Sequence, residues 1–189
     1  MHDIEPYFNW LHHYDDEEDE RSPFYGNDVE EDDFKNQIYN HIIHPRWEYI
    51  GSPTLFAKII YAEYDQCFCI IELIGEWNDT LYNDVMHFKR NVIDVLLAEG
   101  INKFMLIGEN VLIFHSSDDC YYEEWFDELE DGWIAMTNFK PHVLSEIQEA
   151  NLDQYVLIDR QLDDLNWRTF NPSTICAFIN SIMQKRLAY

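Results

Sequence analysis

Between Cys67 and Ile74 the chain reads Cys-Phe-Cys-Ile-Ile-Glu-Leu-Ile, an apolar run interrupted only by Glu72. A strand with one wet face alternates polar and apolar residues, so an unbroken run fits a strand covered on both faces. Such a strand requires a layer of other elements on each side. The neighbouring sequence supplies them. Leu55 to Ala62 reads as a partner strand across the polar turn Glu63-Tyr64-Asp65-Gln66. A helix follows to Glu99, with Leu81, Val85, Phe88, Val92 and Leu96 on one stripe, Asn78 or Asp79 as its cap and Gly100 as its stop. Further strands are expected at Lys103–Ile107, Val111–Phe114, Trp133–Thr137 and Tyr155–Ile158. Helices are expected from about Asp118 to Leu129, with Tyr122, Trp125, Phe126 and Leu129 inward, and over Pro141–Ala150. A last helix starts at Asn171-Pro172, with Ile175, Phe178, Ile179, Ile182 and Met183 on one side. This alternation predicts an α/β domain with a mainly parallel sheet, because parallel neighbours need crossover helices.

The first 53 residues differ from the rest. Tyr7 to Tyr14 is an aromatic segment that suits a short helix. Asp15 to Asp33 carries eleven acids and one arginine, and like-charge runs of this kind usually stay solvated and mobile. Phe34, Ile38, Ile42 and Ile43 are spaced for one helical face, which Pro45 would end. The predicted organisation is therefore an acidic, aromatic-containing extension over 1–53 and an α/β domain over 54–189 that includes the terminal helix.

Charge limits the partners. The chain of 189 residues has 12 basic and 37 acidic side chains and a formal net charge of −25. Nucleic acid and anionic lipid both require clustered Lys and Arg, so neither is expected as a partner. A basic protein or cations are compatible. No secretory signal opens the chain, and no apolar run reaches the roughly 18 residues of a membrane helix. The cysteines Cys67, Cys69, Cys120 and Cys176 form no Cys-x-x-Cys pair, so reduced thiols in a cytoplasmic protein are expected. Neither a glycine-rich phosphate loop, a G-x-S-x-G elbow nor an H-E-x-x-H pair is present. The chain is read as non-enzymatic and without a cofactor.

Three stretches resemble one known family. Ile71-Glu72-Leu73-Ile74-Gly75-Glu76 is similar to a strand that ends in Gly-Glu before the first helix. The segment from Met105 to Ser117 is similar, without gaps, to a strand leading into an Asp-Ser-Ser-Gly turn. Gly132-Trp133-Ile134-Ala135-Met136, then Pro141 and Asn151-Leu152-Asp153, is similar to a Gly–strand–Pro–helix–Gly-Leu-Asp ending. With the order of elements, these resemble the STAS domain of sulfate-transporter tails and anti-sigma-factor antagonists, over about half of the chain. The resemblance implies a STAS-like sheet and a protein-binding role. It also implies a candidate phosphorylation position at Ser116, the first serine of the turn, where a helix start would favour a phosphate. The turn departs from the family pattern, with His115 for the Asp and Asp118 for the Gly. Asp118 and Asp119 would repel a phosphate, so the residues themselves read Ser116 as a capping or loop serine.

The candidate interaction loop is therefore His115, Ser116, Ser117, Asp118 and Asp119, with the short helix after it. Two other functions fit the same fold. One is a carrier of a small apolar ligand held between sheet and helices. The other is a metal-dependent or hydrolytic enzyme using His115, Asp118, Asp119 and Cys120. Adjacent residues at a helix start point in different directions, which disfavours a metal there.

Overall fold

A computed structural model describes residues 4–27 and 34–187. It is a mixed α/β structure. Strands β1 (Gln37–Ile38) and β2 (His41–Ile42) form a small antiparallel pair. Strands β3 (Glu48–Tyr49), β4 (Leu55–Glu63), β5 (Phe68–Asn78), β6 (Lys103–His115) and β7 (Trp133–Thr137) form a five-stranded sheet in the order β3-β4-β5-β6-β7. The sheet is evenly mixed rather than mainly parallel: β3–β4 and β4–β5 run antiparallel, β5–β6 and β6–β7 parallel. A short turn after Glu63 can only return the chain antiparallel, whereas β5 reaches β6 through a helical crossover.

That crossover is not one helix. It runs through α1 (Asp79–Tyr82), α2 (Asp84–Phe88), a π-helical turn (Lys89–Ile93) and α3 (Asp94–Ala98). Asn83, with φ +53°, breaks the first turn from the second. Helices α4 (Cys120–Glu128), α5 (Pro141–Glu149), α6 (Arg160–Asp163) and α7 (Pro172–Leu187) follow. The segments expected as separate strands at 103–107 and 111–114 are one strand, β6, which bulges against β5 between Ile107 and Asn110 and again between Val111 and Ile113. Tyr155–Ile158 contributes only an isolated bridge, Leu157 to Ala135.

β5 is buried along nearly its whole length. On one face Ile71, Leu73, Phe104 and Leu106 pack against Val85, Phe88, Trp125 and Ile147 of the helices. On the other, Phe68, Ile70, Met105 and Ile107 meet Trp10, Trp167 and α7. Ile175, Ile179 and Ile182 of α7 are buried there, and Phe178 and Met183 partly so. Gly75 is required where β5 passes the preceding loop: its φ is +120°, and a Cβ would lie 1.9 Å from the Thr54 carbonyl oxygen.

The N-terminal residues depart from expectation in three ways. Residues 7–14 form turns instead of a helix. Residues 34–43 hold the β1–β2 hairpin, because Tyr39 and Asn40 both have positive φ, 51° and 62°, as a two-residue hairpin turn needs and a helix forbids. The acidic stretch is not uniformly solvated: Asp16 and Ser22 are buried, and Trp10 and Phe24 join the core clusters on opposite faces of the sheet. Residues 28–33 of that stretch lie outside the described residues. Among the described residues, no helix is long and apolar enough to cross a membrane.

Candidate functional site

Parallel strands β5 and β6 finish side by side, with Asn78 opposite His115. In open α/β sheets ligands collect beyond the carboxyl ends of such strands. A groove of about 600 Å³ lies there, lined by Asn78, Thr80 and Leu81 on one side, Phe114, His115 and Ser116 at the strand end, and Glu146, Glu149 and Ala150 from the end of α5. Leu81 stands on its rim, 72% exposed. The helical stripe placed Leu81 inward. Because α1 is one turn long and ends at Asn83, Leu81 turns out instead.

The groove floor is held by buried carboxylates. Asp79 Oδ1 accepts from Trp77 Nε1 at 3.0 Å and from the Val85 N–H at 2.8 Å, and its Oδ2 accepts from the Tyr122 hydroxyl at 2.6 Å. Burial pushes its pKa up to about 6. Asp84 Oδ2 accepts from the Asn78 N–H at 2.7 Å and from the Thr54 hydroxyl at 3.1 Å. These bonds tie β5, α1, α2 and α4 together. They engage both oxygens of Asp79, which is itself buried.

The loop after β6 is a linker from strand to helix. Thr80 Oγ1 donates to the Ser116 carbonyl at 2.9 Å, fixing α1 against it. His115, Ser117 and Asp118 are exposed, while Ser116 and Asp119 are half-buried. Of the two roles expected of Ser116, capping and loop, the structure shows the loop one. Helix α4 starts only at Cys120, its N-cap is Asp119, and no side chain caps it. Asp118 Oδ1 accepts the Cys120 N–H at 3.2 Å, and Tyr155 donates to Asp119 Oδ2 at 2.8 Å. The Cys120 thiol is pushed up by its hydrogen bond to Asp118, which disfavours the thiolate a nucleophile needs. Phe126, placed inward by the sequence, is 45% exposed.

Two constellations were not read from the sequence. The first sits where β7 ends and β6 bulges. Glu109 Oε1 accepts from Asn138 Nδ2, Trp167 Nε1 and Arg168 Nη1 at 2.8, 2.9 and 2.9 Å, and Oε2 accepts from Arg168 Nη2 at 2.7 Å. These donors outweigh its partial burial and hold its carboxyl down at about 2. Nearby Glu72, 2% exposed, accepts the Tyr7 N–H at 2.8 Å, and its burial raises it to about 7. A bulge is the usual device for re-aiming one side chain off a sheet, and here it turns Glu109 towards the segment before α7. The cluster fastens the N- and C-terminal segments to the sheet.

The second surrounds Lys58, whose ammonium is 2.8 Å from both Asp16 Oδ1 and Glu17 Oε1 and 3.7 Å from Glu48 Oε1. Burial raises Asp16 to about 6 and Glu48 to about 7 against the pull of Lys58.

The apolar space between the sheet and helices α4 and α5, lined by Trp77, Phe114, Trp125 and Met136 among others, has a volume of about 10 Å³. That is the size of one water, far below what an apolar ligand requires. Comparison with protein-family models, with curated proteins and with solved structures finds no match for this chain.

Proposed function

We propose that this protein is a non-enzymatic, STAS-like interaction module, and that the groove beyond β5 and β6 receives a lysine- or arginine-rich segment of a protein partner. The observation that carries the reading is the composition of the groove. An exposed leucine sits on a rim whose ionisable residues are Glu146, Glu149 and His115, with no Lys or Arg in the lining. An apolar anchor with acidic surroundings suits a segment that brings one apolar side chain and several cations. The adjoining Asp118 and Asp119 extend the same field. The overall charge of −25 would steer a basic protein in and keep nucleic acid and anionic membrane out. Four free thiols accord with a cytoplasmic setting. The hydrogen-bonded state of Asp79 and the raised Cys120 thiol favour binding over catalysis at this edge.

The test is affinity capture from native extract with wild type and with Glu146→Lys/Glu149→Lys. The proposal expects a basic protein retained by the wild type, lost from the variant and eluted by moderate salt. A captured set unchanged by the double substitution would place the interaction elsewhere.

A further inference from the structure

We propose that a second crevice, beyond the end of β7, binds a short zwitterionic peptide with an apolar side chain. The crevice lies where the chain changes face. β7 leads into α5, whose Val143, Leu144 and Ile147 join the core cluster on one face of the sheet. The next extended segment bridges parallel to β7 through Leu157 and leads into α6, whose Leu162 joins the cluster on the other face. Neighbouring segments that leave a sheet towards opposite faces part at their carboxyl ends, and ligands collect in that gap. Here the gap has a volume of about 880 Å³, within the roughly 300–1,000 Å³ of small-molecule sites. It shares no lining residue with the groove beyond β5 and β6.

The crevice is held open by its base. Asn138, left-handed at φ +55°, donates through Nδ2 to Glu109 Oε1 at 2.8 Å and to the Leu165 carbonyl at 2.9 Å, and its Oδ1 accepts the Leu165 N–H at 2.8 Å. Its own N–H donates to the Leu162 carbonyl at 2.9 Å. Phe139 packs on Gly108, where a Cβ would come within 2.3 Å of its ring. With Leu144 and Ile158 it supplies the apolar part of the lining. A preformed cleft loses little freedom on binding.

Charge selects the ligand. Bases are scarce in this chain, 12 against 37 acids, and Arg21, Lys58, Lys89, Arg90 and Arg168 all sit on carboxylates. Lys140 and Arg160, one from each wall of the crevice, are exposed and make no ion pair among the described residues. Asp163 and Asp164 line the same crevice and likewise pair with no base among the described residues. Both signs are therefore presented, unspent, around an apolar floor. A simple anion would meet the aspartates and a simple cation the two bases. A free peptide brings a carboxylate for Lys140 and Arg160, an ammonium for Asp163 and Asp164, and a side chain for Phe139 and Leu144.

The experiment titrates the full chain with leucyl-leucine, its N-acetyl form and its C-terminal amide, by calorimetry and by heteronuclear amide spectra. Leucyl-leucine should bind saturably and shift amides within 138–148 and 158–164, the two lining segments. Each capped form should bind roughly tenfold or more weakly, having lost one charge-assisted contact. Lys140→Gln/Arg160→Gln should weaken leucyl-leucine and not the amide. Asp163→Asn/Asp164→Asn should weaken leucyl-leucine and not the N-acetyl form. Lys185→Gln, outside the crevice, should change nothing. Absence of saturable binding, equal affinity for free and capped peptides, amide shifts centred elsewhere, or undiminished affinity in both double variants would overturn the site.

Discussion

Asp79, buried beneath the groove, and Ser116, in its lining, illustrate two different dependences. Asp79 is buried with three donors, so removing one leaves a charged oxygen unsatisfied. Tyr122→Phe deletes the 2.6 Å bond to Asp79 Oδ2 and should destabilise the protein by about 1–3 kcal/mol in urea unfolding. A change below that range would mean that solvent reaches Asp79 in the folded state. Ser116 is tied through its backbone: its carbonyl accepts from Thr80, and α4 starts four residues later. Ser116→Ala should therefore change stability by less than about 0.5 kcal/mol; a loss near a full kcal/mol would restore the capping role read from the sequence. The other residues that escaped the sequence reading did so for a common reason. Asp16 is one acid in an acidic run, and nothing local separates it from its exposed neighbours. Its partner Lys58 shows only as a lysine inside the apolar strand Leu55-Phe56-Ala57-Lys58-Ile59-Ile60. Glu72 had a similar mark, as the lone charge in the most apolar run of the chain.

At the scale of elements, legibility follows the length of the periodic signal. β7, α5 and α7 lie where the sequence places them, whereas β5, expected to end at Ile74, runs on to Asn78. The segment 34–43 has spacing that serves either a helical face or a hairpin, and two left-handed residues decided for the hairpin. The crossover after β5 reads as one helix because its apolar stripe is continuous. The break at Asn83 follows from Asp79 and Asp84 bonding inward to Val85, Asn78 and Thr54, which no stripe reveals. α7 covers part of one face of the sheet, alongside Trp10 and Trp167. Burial of a large aliphatic side chain is worth about 1.5–3 kcal/mol, and α7 buries Ile175, Ile179 and Ile182. A chain lacking 171–189 should lose cooperative thermal unfolding or aggregate. An unchanged melting curve would show that α7 contributes nothing to the fold and is free to dock elsewhere.

For the whole molecule, the buried acids set a pH dependence opposite to that of most salt-bridged proteins. Glu72 is raised to about 7 and Asp79 to about 6, both chiefly by burial. Their unfolded values are lower, so between those values and the folded ones the native state binds more protons than the unfolded chain, and stability falls as pH rises. Glu109, lowered to about 2 by its donors, acts in the other direction and loses its contribution only in strong acid. The protein should therefore be more resistant to urea near pH 5 than near pH 8, and Glu72→Gln should flatten the difference. Equal midpoints at the two pH values would show that these carboxyls titrate normally. The central claim is that the molecule works by binding at the sheet end beyond β5 and β6. Photo-crosslinking in native cells tests this most directly, with a photoreactive residue at Leu81 on the groove rim and, in a second protein, at Tyr49, which is 62% exposed on the edge strand β3. The account predicts one prominent adduct to a basic protein from position 81 and none of it from position 49. The same adduct from position 49 alone, or no adduct from position 81, would contradict it.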